Sequence, residues 1–131
     1  MSFDWLQYLD QAQDLFTQAP NCSYTEANMR SSISRAYYAA FHKTRLHLHS
    51  RWGVSLPNDA SAHEQARKEL QKRYKSAKQQ TKIANKVATT LNRMRIDRNK
   101  ADYRDFVTDL SKTAQENLIR AKDLISNLKK L

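Results

Sequence analysis

The segment TEANMRSSISRAYYAAFHKTRLHLH, Thr25 to His49, decides the fold. Met29, Ile33, Ala36, Tyr37, Ala40, Phe41, Thr44 and Leu48 recur three and four residues apart and share one face of an α-helix. Thr25 is placed to cap its start. Within it, Ser34 to His42 interleaves small residues with aromatics, which lets a second helix approach closely. Tyr37 and Phe41 read as core packing there, with Arg35, Tyr38 and His42 as polar groups on a bundle rim.

Working outward, Trp5, Leu6, Leu9 and Phe16 give a first helix, Asp4 to about Ala19, an apolar stripe that ends at Pro20–Ser23. SRWGVSLPNDAS (50–61) carries the single glycine, Gly53, and Pro57, and reads as a loop. A third helix is expected after Ser61, where Ser61 and Glu64 have capping-box spacing, running through HEQARKELQKRYK (63–75). A break is expected near Ser76–Thr81. A fourth helix aligns Ile83, Val87, Leu91 and Met94, and the polar run Asp97–Asp105 reads as its end or as a kink. A fifth helix, from about Asp105 onward, has Phe106, Leu110, Ala114, Ala121, Leu124 and Leu128 as its seam, interrupted by Asn117. These patterns predict an all-α, antiparallel bundle of four to five helices in one domain over residues 1–131.

Composition agrees. One glycine and two prolines leave few turns, and Lys, Gln, Ala, Leu and Arg are good helix formers. A chain of 131 residues can bury a core without staples. The lone Cys22 excludes an intramolecular disulfide, which suits a reducing compartment. MSFDWLQYLD lacks the basic and apolar regions of a secretory signal, and no apolar run approaches membrane-spanning length. The expectation is a cytoplasmic protein with no membrane partner.

The net charge of +10 is concentrated. Residues 67–104 hold 13 Lys/Arg against Glu69, Asp97 and Asp102, while the rest of the chain holds ten of each sign. Such a stretch attracts RNA or another polyanion. A solvated helix face would also account for it, as would an acidic protein partner. The stretch lacks the bulky apolar face of a membrane-surface helix. Arg35, Lys72, Arg73, Lys82, Lys86, Arg95 and Lys100 are the candidates for phosphate contacts.

Signatures of cofactor and metal chemistry are missing: no Gly-rich phosphate loop, no CxxC and no HExxH. His42 and His49, seven apart, lack a third ligand, so neither metal nor cofactor is expected. The segment Arg95–Arg104 instead gathers polar groups at a helix end. Arg98 follows Leu91 and Met94 by seven and four and therefore projects from the core-facing stripe, where a charge needs a partner. Either it pairs with Asp102 at i,i+4, or it forms an anion site at a cleft or subunit interface.

Three elements together, Ser34–His42 (SRAYYAAFH), His63 in SAHEQARKEL and Arg98–Tyr103 (RNKADY), resemble the HEPN family in order and spacing over nearly the whole chain. The resemblance implies a four- to five-helix bundle that forms homodimers. It implies company with RNA, with toxin–antitoxin or antiviral defence systems, and with a small nucleotidyltransferase partner. Ribonuclease members carry Arg, a polar residue and, after four intervening positions, His. Arg98 and Asn99 match the start of that motif, and Tyr103 stands at the His position.

Metal-independent RNA cleavage needs a base for the 2′-OH, a cation for the phosphorane and an acid for the leaving oxygen. Arg98 suits the cation and Asn99 can orient a phosphate oxygen. Tyrosine titrates near 10, so about one Tyr103 in a thousand is ionised at pH 7 and it makes a poor base. His63 or His42 would have to supply the imidazole. Three readings follow: an RNA-directed effector or endoribonuclease using Arg98, Asn99, Tyr103 and His63; a non-catalytic module binding RNA, a nucleotide or a nucleotidyltransferase; and a structural helical dimer within a larger assembly.

Overall fold

The computed structural model describes residues 3–131. It contains five helices: α1 (Leu6–Gln18), α2 (Thr25–Trp52), α3 (Ala62–Arg73), α4 (Lys78–Tyr103) and α5 (Leu110–Leu128), with a 3-10 turn at Ala19–Asn21. Helix α2 lies at the centre and packs against the other four. Its predicted face is the one that goes inside: Ile33, Ala36, Tyr37, Ala40, Thr44 and Leu48 are buried. Ala36, Tyr37, Ala40 and Leu48 meet Leu70 of α3, Val87, Leu91 and Met94 of α4, and Leu118, Leu124 and Leu128 of α5 in one apolar cluster, while Ile33 packs with Ala101 of α4 and Ala114 of α5 in a second. Burial of each such side chain contributes about 1.5–3 kcal/mol.

Contacts fix the direction of each helix. Ser32 Oγ donates to the carbonyl of Ala12 at 2.7 Å, and His42 stacks on Trp5, so α1 runs antiparallel to α2. Arg30 donates to the carbonyl of Ala101 while Tyr37 and Tyr38 lie under Arg98, so α4 is antiparallel to α2 as well. Helix α3 keeps the same chain sense as α2, because Tyr37 meets His63 and His47 meets Tyr74. The connection after α2 therefore has to run back along the bundle. Gly53 starts it, in the left-handed region at φ 67°, with its N–H donating to the carbonyl of His49. A side chain at this φ is disfavoured, which is why glycine ends α2 here.

Several boundaries differ from the sequence expectation. Thr25 does not cap α2; its hydroxyl donates to the carbonyls of Ala19 and Cys22 and ties the helix to the preceding turn. The Ser61–Glu64 capping box does not form. Asp59 takes the N–H of Ser61 at 2.8 Å, and Glu64 turns to Arg67. Helix α4 continues through Asp97–Tyr103 without a break. Its polar side chains find partners there: Asp97 accepts from Asn117 and Arg120, and Ala101 is buried beneath. Helix α5 starts at Leu110, five residues later than expected, since Arg30 holds the carbonyls of Ala101, Arg104 and Asp105 in a turn. Phe106 consequently lies outside the α5 seam and is 91% exposed.

Candidate functional site

The backward connection does more than join two helices. Residues 54–60 cross beside α2 and, with α2, the first turn of α3 and the second half of α4, enclose a cleft of about 750 Å³. That volume is typical of small-molecule and nucleotide sites. Helix α2 contributes Tyr37, Tyr38, Phe41, His42, Arg45 and His49; α3 contributes His63; α4 contributes Arg95 and Arg98. Spacings of one, three and four along α2 bring its six side chains to one wall.

Arg98 is the unusual member. Its side chain is only 15% exposed, and Nη1 lies 3.5 Å from Asp102 Oδ2, the i,i+4 partner read from the sequence. That single long pair leaves it under-satisfied: Nε is buried with no hydrogen-bond partner. Its guanidinium carbon sits 5.2 Å and 5.4 Å from the ring centroids of Tyr37 and Tyr38. The negative faces of the rings offset part of the desolvation. Together with Arg45 and Arg95 this makes three guanidinium groups around one cleft, against a single lining carboxylate, Asp59. The hydroxyl and N–H of Ser61 hold Asp59 below its usual range, so it stays ionised.

Three imidazoles line the walls, His42, His49 and His63, and of these His42 and His63 are neutral at pH 7. His63 is buried, and burial followed by the charge of Arg95 pulls its pKa down to about 4. Its Nδ1 lies 3.1 Å from Tyr37 Oη. Burial pushes Tyr37 up to about 12, so the phenol keeps its proton. With the phenol as donor, the ring proton of His63 sits on Nε2, the atom that has no partner. His42 lies flat against the Trp5 indole, centroids 3.6 Å apart, and its Nδ1 accepts from Arg45 Nε at 3.0 Å. Burial and the Arg45 charge bring it to about 4. An imidazole that accepts at Nδ1 carries its proton at Nε2.

The motif residues separate. Arg98 and His63 line the cleft, whereas Asn99 and Tyr103 line a shallow depression elsewhere on α4 with Ile96, Lys100 and Arg104. One step along a helix turns a side chain by about 100°, so neighbours in sequence face apart. Tyr103 is 78% exposed. The phosphate candidates separate too. Arg95 is in the cleft. Arg35 lies 4.7 Å over the Tyr8 ring, on the α1 side. Arg73 is paired with Glu69 at 3.0 Å and lies over Trp52. Lys72, Lys82 and Lys86 are exposed, and Lys100 is half-buried.

Sequence reasoning missed Arg45 and the 54–60 wall, and it treated Tyr37 and Phe41 as core alone. Arg45 had one readable signal, its place one turn after His42 on the same side of α2. Among the described residues no three His, Cys, Asp or Glu side chains gather as a metal site, and no helix is long and apolar enough to cross a membrane. Comparison with models of known families, with curated proteins and with solved structures finds no match to this chain. Chemically, the cleft can seat an anionic oxygen on Arg98, Arg95 or Arg45, place a planar ring against Tyr38 or Phe41, and donate from neutral imidazole.

Proposed function

We propose that this protein is an RNA-directed module of the HEPN kind whose cleft seats a phosphate of RNA or of a nucleotide. The observation that carries this reading is Arg98. A guanidinium withdrawn from water, with one donor unpartnered and two other guanidiniums lining the same cleft, is a costly arrangement that a bound phosphate relieves. Tyr38 and Phe41 put aromatic rings, the residue type on which unpaired bases stack, in the cleft lining. The homodimer, the nucleotidyltransferase partner and the defence or toxin–antitoxin setting enter through the resemblance in the three motif segments.

A second reading is metal-independent cleavage. What favours it is His63, a neutral imidazole in the same cleft as Arg98. Against it, an imidazole of pKa about 4 is a weak base at pH 7, and its Nδ1 is engaged by Tyr37. Asn99 and Tyr103 face another way. In the catalytic reading they act from a second protomer, so that the site is composite. Binding is therefore the leading reading.

The test measures labelled mixed-sequence RNA with the wild type and Arg98→Ala, by anisotropy and by metal-free cleavage. Binding that falls 10- to 100-fold in the mutant, without cleavage by either protein, supports the binding module. Cleavage by the wild type that vanishes in the mutant establishes the ribonuclease reading. Equal binding by both proteins removes the cleft as the RNA site.

A further inference from the structure

A second basic surface lies on the other side of α4. At about 100° per residue, Lys82, Lys86, Arg93 and Lys100 fall within roughly 40° of one another on the helix circumference. This is the side opposite the buried Val87, Ala88, Leu91 and Met94. At 1.5 Å per residue the row is about 27 Å long and straight. Lys82, Lys86 and Arg93 are exposed and Lys100 is half-buried.

Among the described residues, five of the six ion pairs join an arginine to a carboxylate three or four positions away. Those pairs involve five arginines and no lysine, so what sets the row apart is its alignment on one face and not a lack of partners. None of the four residues takes part in an ion pair. The one carboxylate bordering the row, Asp97, is turned to Asn117 and Arg120. Unpaired like charges at i,i+4, such as Lys82 and Lys86, weaken an isolated helix by about 0.2–0.5 kcal/mol.

We infer that the outer row of α4 is a docking surface for the phosphodiester backbone of a duplex or folded nucleic acid, separate from the cleft. The choice of RNA rests on the function proposed above, but the surface does not depend on the cleft. Convexity favours a duplex, whose phosphates lie outward, whereas the concave cleft admits only an unpaired element. The neighbours Gln79, Asn85 and Thr89 are polar and supply no apolar face for a membrane. Exposed Ile96 and Tyr103 flank the Arg93–Lys100 end, while beside Lys82 and Lys86 there is, among the described residues, no exposed aromatic or aliphatic anchor of the kind that dominates protein interfaces. A straight line of cations matches a line of phosphates, read by charge and without sequence.

The experiment compares the wild type, the triple variant Lys82→Gln/Lys86→Gln/Arg93→Gln, and Arg98→Ala. Each is titrated with a labelled RNA hairpin and with a short unstructured RNA between 50 and 200 mM salt. Removing three contacts should lower the slope of log K against log [salt] for the hairpin by about 2–3. Short-RNA binding should stay within twofold. The double variant Lys82→Arg/Lys86→Arg should keep the wild-type slope. A DNA hairpin of the same sequence should bind about as well, since charge alone is read. Arg98→Ala should lose the short RNA and keep the hairpin slope, so the cleft and the row fail separately. An unchanged hairpin slope in the folded triple variant overturns the inference. So does competition by polyglutamate as effective as by nucleic acid, which would make the partner an acidic protein.

Discussion

On the inner side of α4, Arg95 and Arg98 face aromatic rings and neutral imidazoles in a half-open cleft; on the outer side, Lys82, Lys86 and Arg93 stand in solvent. The two sides share one helix and similar formal charges. Their physics differs because the surrounding dielectric differs. A guanidinium shielded from water interacts strongly with any anion that reaches it, and it is costly while it waits. A solvated ammonium gains little from one partner, is screened by salt, and acts only as part of an array. The comparison teaches that the +10 total is spread over two different environments, one withdrawn from water and one solvated, in which the same formal charge behaves differently.

The largest expected effect comes from breaking what both sides stand on. Leu91 is fully buried beneath them. Leu91→Ala should lower unfolding free energy by about 2–5 kcal/mol in urea denaturation and weaken binding on both sides. A loss below about 1 kcal/mol would mean that α4 is not anchored by this packing.

Next in size is the separation of the two sides by Arg98→Ala. Loss of charge-assisted contacts of about 1.5–3 kcal/mol predicts a 10- to 100-fold drop in phosphate or short-RNA affinity. Stability should change by less than about 1 kcal/mol, because the pair with Asp102 is long and partly exposed. A large stability loss with intact binding would make Arg98 a structural residue.

pH sharpens the contrast further. His42 and His63 lie near 4 in the folded protein against an ordinary 6.5. The unfolded chain therefore binds protons first as pH falls. Stability should be full above about 6.5, fall between 6.5 and 4, and level off below. Melting temperature followed over that window checks it, and His63→Gln should flatten part of the decline. The outer row carries no histidine and contributes nothing to this profile. The smallest effect belongs to that row. Lys86→Gln should leave stability unchanged or raise it by about 0.2–0.5 kcal/mol, by relieving repulsion from Lys82. A clear loss in thermal denaturation would reveal a hidden partner for Lys86.

Helix number and the buried face of α2 were legible because apolar periodicity is a local property of the chain. The interruption expected at Asp97–Asp105 was not. Polar composition looked like an end, yet Asp97 spends its carboxylate on Asn117 and Arg120, some twenty residues away. Asn117, read as a flaw in the α5 seam, is the buried donor in that contact. The late start of α5 follows from Arg30, more than seventy residues before the carbonyls it holds. The Arg98–Asp102 pair, four residues apart, was visible in the sequence for the same reason that these were not.

The sequence by itself determined an all-helical bundle, the place of its basic stretch and the exposure of Arg98 to a choice between pairing and anion binding, because each depends on residues within a turn or two of one another. Only the tertiary structure decided that α3 keeps the direction of α2, that residues 54–60 roof a cleft, and that Arg98 and His63 share it while Asn99 and Tyr103 do not. Those outcomes depend on which way a connection runs and on contacts dozens of residues apart. No local preference of the chain encodes them; they are settled only when the helices pack.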